Sequence, residues 1–157
     1  MIRAFVITTA LLAGPIAAQD NIEWTISVSG GSEIEIPIFM TEGWVRGLMM
    51  QGEDYGTAFE PDRFPVQLRQ YRTDSTGRPF DYLENVLGAN ADAITYSYDH
   101  ANLGAISGYT NDRTGIFYGM CRKERVVICF DMHWPKELQE TFGPIVERIA
   151  KGFREGI

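Results

Sequence analysis

Asp131 and His133 stand two apart in the apolar run Val126–Trp134, VVICFDMHW. In an extended strand, residues i and i+2 lie on one face, so this carboxylate and imidazole come within reach of a shared proton or metal ion. A carboxylate that orients an imidazole is the usual way to build a general base that works near neutral pH. The same alternation puts Cys129 on their face and Phe130 and Met132 on the other. The competing reading is a strand-end pair at the rim of a sheet, with no chemical task. Zinc needs three or four protein ligands, and the second of the two histidines, His100, follows Asp99 in a turn. No metal and no cofactor is expected.

Other catalytic patterns are missing. Gly104–Gly108 (GAISG) has its serine one place too late for a nucleophile elbow and lies between strands rather than before a helix. There is no S-x-x-K, H-E-x-x-H, P-loop or dinucleotide-binding glycine motif. Glu53-Asp54 lacks the spacing of a calcium loop, and Asp92, Asp99 and Asp112 fall at turns, where short carboxylates cap backbone N–H groups. No catalytic residue is assigned. The better candidate for contact with another molecule is the glycine-punctuated stretch from Phe39 to Met50. Trp44, Met49 and Met50 would form an adaptable apolar patch there, unless the segment simply folds over a sheet edge.

Cys121 and Cys129 flank the RKER segment between two strand-like runs. If the turn centres on Arg125 the two fall opposite each other, at a separation that a disulfide can bridge. If it centres between Lys123 and Glu124, Cys121 faces Val126 and the bridge fails. An oxidising compartment favours the bridge.

Several elements must position these residues. Asn21–Ser29 alternates with Ile22, Trp24, Ile26 and Val28 on one side, Gly30-Gly31-Ser32 turns the chain, and residues 33–38 alternate again. Residues 39–55 read as a loop or one short helix. Short strands follow at residues 56–59 and 65–72. Pro79 opens a helix that runs to about Leu87, with Gly88 to close it. Strands are predicted at Ala93–Tyr98, Leu103–Tyr109, Gly115–Cys121 and Val126–Trp134, their aromatic side chains packing across strands. Pro135 begins a C-terminal helix with Leu138, Phe142, Ile145, Val146, Ile149 and Phe153 in one stripe, kinked or restarted at Gly143-Pro144. The sum is α+β: a mainly antiparallel sheet of about seven strands with a long C-terminal helix packed on one face.

The 157 residues carry 14 Lys+Arg against 21 Asp+Glu, a net charge of −7 that argues against nucleic acid and anionic lipid as partners. A short positive start, the apolar run Ala4–Ala13 and the small residues up to Ala18 read as a signal peptide, cleaved after Ala18. The run is too short to span a bilayer, so no stable membrane insertion is expected after cleavage. Residues 19–157 then form a single globular domain, placed in the bacterial periplasm or outside the cell.

Element order and several phrases (GGSEIEIP, GTAFEP, ITYSYD, AISGY, GIFYGMC…CFDMHWP and PIVERIAKGFR) resemble the Mog1/PsbP-like sandwich fold. They are similar, more closely, to small uncharacterised exported proteins of alphaproteobacteria. The resemblance covers about Trp24 to Arg154. It implies a non-catalytic accessory domain that binds a protein partner, and it brings no functional residues with it. The alternative is a small-ligand binder or hydrolase using a pocket between sheet and helix, near Asp131 and His133.

Overall fold

A computed structural model describes residues 21–49, 55–74, 76–88 and 90–156. The predicted leader lies outside the described residues, as do Met50 and Glu53-Asp54. In chain order the elements are β1 (Trp24–Ser29), β2 (Ser32–Pro37), β3 (Gly43–Met49), β4 (Tyr55–Pro61), β5 (Gln67–Thr73), α1 (Pro79–Leu87), β6 (Ile94–His100), β7 (Leu103–Tyr109), β8 (Gly115–Lys123), β9 (Val127–Pro135) and α2 (Gln139–Glu155). Seven strands form one antiparallel sheet in the order β3-β4-β5-β9-β8-β7-β6, and β1 with β2 forms a separate two-stranded sheet. The large sheet is two hairpin-connected meanders joined along β5 and β9. The class is α+β, as the periodicities predict.

The alternation of β9 separates two apolar layers. Ile128, Phe130, Met132 and Trp134 face α2, whereas Val127 and Cys129 belong to the layer under α1. On the first face, Phe142, Ile145, Val146, Ile149 and Phe153 of α2 bury their stripe, with the Phe153 ring 5.1 Å from that of Phe130. Ile34 and Ile36 of β2, both fully buried, complete this core beside the helix. Burial of each such side chain contributes about 1.5–3 kcal/mol before entropy is counted. On the second face, Gly88 closes α1 with φ 56°. Gly104 lets α1 come close, because a Cβ there would stand 2.6 Å from the Phe80 backbone nitrogen.

The structure departs from the sequence reading in four places. Residues 43–49 are not loop or helix but strand β3, which pairs with β4 over its whole length after a 3-10 turn at Ile38–Thr41. Gly43 and Gly47 hide the alternation of Trp44, Arg46 and Leu48. Second, α2 does not restart at Pro144, which lies inside the helix. Proline removes one helical N–H, and the burial of Phe142, Ile145 and Val146 around it holds the segment in place. Third, Tyr96 and Tyr98 are exposed on β6 rather than packed in the core, since β6 is the last strand of the sheet.

Fourth, the apolar side of β1 is split: Val28 is 70% and Ile26 47% exposed, whereas Trp24, and Ile22 just ahead of the strand, pack against the core. The serines of β1 face in, because the side chain of Gln70 on β5 is fully buried beneath them and needs partners. Ser27 donates to Gln70 Oε1 at 2.6 Å, and Gln70 Nε2 donates to the Ser32 carbonyl at 2.9 Å. The buried face of the hairpin thus carries both the hydrogen bonds with Gln70 and the core residues Ile34 and Ile36.

Candidate functional site

The pairing of β5 with β9 assembles the chemistry. Arg69 lies opposite Asp131, and Gln67 opposite His133. Directly opposed residues point to the same side, here the α1 side. Asp131 is completely buried. Arg69 donates to both carboxylate oxygens, Nε to Oδ1 and Nη2 to Oδ2, each at 2.7 Å. The Tyr71 hydroxyl donates to Oδ2 at 2.8 Å, and His133 Nε2 stands 3.4 Å from Oδ1. Burial alone would raise the Asp131 pKa. The hydrogen bond with His133 and the charge of Arg69 outweigh it and hold the carboxyl below its ordinary value. Burial pushes the Tyr71 hydroxyl well above its ordinary value, and the adjacent Asp131 charge adds to that.

Asp131 and His133 therefore share one face, as period two predicts, but the carboxylate is committed. Its charge is matched by the Arg69 guanidinium in a bidentate pair, and its oxygens are further engaged by the Tyr71 phenol and by His133. His133 is the open member, with its side chain about one-third exposed.

His133 and Trp44 line the same cleft, of about 1260 Å³, at the end of the sheet where the β4–β5 and β7–β8 connections meet the end of β9. A separate, smaller pocket of about 150 Å³, lined by Leu87 of α1 with Phe117 and His133, lies between sheet and helix, where the ligand-binding alternative put its site. Trp44 reaches the large cleft from β3 with 64% of its surface exposed. Phe64 supplies a second aromatic wall. Arg63, Arg113 and Lys136 bring positive charge, and Asp62 and Glu137 negative. Glu60, opposite Trp44, accepts a hydrogen bond from Gln67 Nε2 at 2.6 Å and pairs with Arg46 at 3.5 Å. The Thr110 hydroxyl beside His133 is also spoken for, donating to Asp112 at 2.6 Å and accepting from the Gly115 N–H at 2.9 Å. The cleft offers stacking and ionic contacts.

Met49 belongs to β3, on the same strand as Trp44, and Met50 lies outside the described residues. Among the described residues, no three His, Cys, Asp or Glu side chains are grouped as metal ligands. Cys121 and Cys129 are directly opposed and form a disulfide, with Lys123 opposite Val127, so the turn centres on Arg125. Among the described residues no helix is long and apolar enough to cross a membrane.

Sequence reasoning missed Arg69 and Tyr71. Their common face is legible in the alternation of QLRQYRT, but nothing local announces that β5 lies beside β9. No family model, curated protein or solved structure matches this chain.

Proposed function

We propose that this chain is an exported, non-catalytic accessory domain of the bacterial periplasm or cell exterior that binds a protein partner at the Trp44 cleft. The observation that carries this reading is the 64% exposure of Trp44 at the mouth of a wide cleft. Tryptophan is the side chain that contributes most often to binding energy at protein interfaces. The leader-like N-terminus and the disulfide support export, and the resemblance to the Mog1/PsbP-like fold supports an accessory role.

Crosslinking in the native envelope, followed by affinity capture and mass spectrometry, tests the proposal. One reproducible partner, lost with Trp44→Ser while the variant keeps its unfolding midpoint, is the expected result. A partner retained by the folded Trp44→Ser variant excludes this surface.

The specific observation favouring the second reading, a small-ligand site, is that His133 opens into the same cleft as Trp44. A ligand whose affinity falls with His133→Ala, in a protein that captures no partner, would select it.

A further inference from the structure

The two ends of the seven-stranded sheet are protected differently. At one end, β6 carries a register shift between Ile94 and Tyr96 and presents Thr95, Asp99 and His100. Bulges and charges are the common means by which an edge strand is kept from pairing with another chain. At the other end, β3 runs Gly43–Met49 in unbroken register with β4, without lysine or proline. Among the described residues no strand covers its outer edge. Trp44 is 64% exposed and Val45 45% exposed, on opposite faces of this one strand. Among the described residues the edge is an open row of backbone donors and acceptors, flanked by Trp44, Val45 and Arg46.

We propose that a second copy of this chain covers it: the two β3 strands pair antiparallel about a two-fold axis at Val45, joining the two sheets into one. The side chains of β3 select this occupant and this register. With the axis at Val45, Val45 meets its counterpart on the α2 side, and Trp44 lies opposite Arg46 of the other copy on the α1 side. Arg46 is the single charge of the strand and already lies over the Trp44 ring of its own chain, 5.5 Å from the centroid. The pairing therefore places a cation against an aromatic face twice and sets no like charges opposite each other. An axis one residue later would set Arg46 against Arg46. The two-fold arrangement also closes on itself, using up both unprotected edges and leaving only the protected β6 ends outside.

The inference goes beyond the partner-binding reading; Trp44 belongs to both surfaces, whereas Val45, where the pairing is tested, does not line the cleft. Two measurements on the oxidised protein test it. Sedimentation velocity, carried up to the limit of solubility, is expected to show twice the monomer mass for the native chain and for Val45→Thr, and monomer for Val45→Lys. Val45→Cys is expected to link into a reducible covalent dimer, since the axis brings the two cysteines face to face. A native chain that stays monomeric at every concentration overturns the proposal. So does a dimer that folded Val45→Lys leaves intact, or a Val45→Cys protein that dimerises without linking. Partner capture by monomeric Val45→Lys would leave the function proposed for the cleft standing.

Discussion

Arg69 on β5 and Asp131 on β9 are directly opposed across the centre of the sheet, 62 residues apart in sequence and joined by two parallel hydrogen bonds of 2.7 Å. The pair does structural work: it fixes the register of the one strand contact that links the two meanders. Replacing Arg69 by Met leaves a buried carboxylate without its counter-charge, and this is expected to cost about 3–5 kcal/mol. Urea unfolding of the Arg69→Met protein measures it. A change below 1 kcal/mol would mean that Asp131 is solvated or held mainly by Tyr71 and His133.

The same carboxylate links stability to acid. Its pKa is below the ordinary value in the folded protein, so the folded form binds that proton more weakly than the unfolded chain. The stabilisation is complete above the ordinary aspartate pKa of about 3.9 and is lost as pH falls through the lower folded value. Unfolding free energy should therefore drop on acidification through that window. Asp131→Asn should flatten this part of the profile while lowering stability at neutral pH. An unchanged acid limb in Asp131→Asn would assign the effect to other carboxylates.

Tyr118 acts at the other end of the pH scale. Burial first, with the neighbouring Tyr96 adding to it, raises its hydroxyl to about 12. A phenol with a raised folded pKa contributes stability fully below its ordinary value near 10, and that contribution is lost as pH rises towards the folded value. Tyr118→Phe should reduce the alkaline loss of stability, followed by thermal melts across that range. If the melts of the two proteins fall in parallel, the buried Tyr71, also raised, carries the effect.

Much of this architecture was legible because it is local. The predicted limits of β7 and α1 match the structure, since alternation and helical spacing, Pro79 and Gly88 each act within a few residues. The disulfide depended on one undecided point, the centre of the RKER turn, and the register with Arg125 at the apex resolves it. What stayed hidden is non-local. Strand β3 owes its form to a single neighbour, and its two glycines dilute the pattern. The outward turn of Ile26 and Val28 follows from the opposite face of the hairpin, where Ile34 and Ile36 are buried and Gln70, some forty residues on, hydrogen-bonds with Ser27 and Ser32. The candidate site suffered from the same cause, because only sheet order brings Trp44 and His133 to one cleft.

Cys121 and Cys129 are both fully buried beneath α1, so reductant reaches the bridge only when the protein opens. Closing a loop of this size is expected to stabilise the fold by about 2–3 kcal/mol. Intact mass after denaturation should show the bridge in the untreated protein and two thiols after reductant. In native buffer, the rate of reduction should level off with reductant concentration at the rate of opening. The Cys121→Ala, Cys129→Ala double variant should keep the fold with a lower urea midpoint. A rate that keeps rising in proportion to reductant would show that the bridge is accessible in the native state, and would place it among exchangeable rather than structural disulfides.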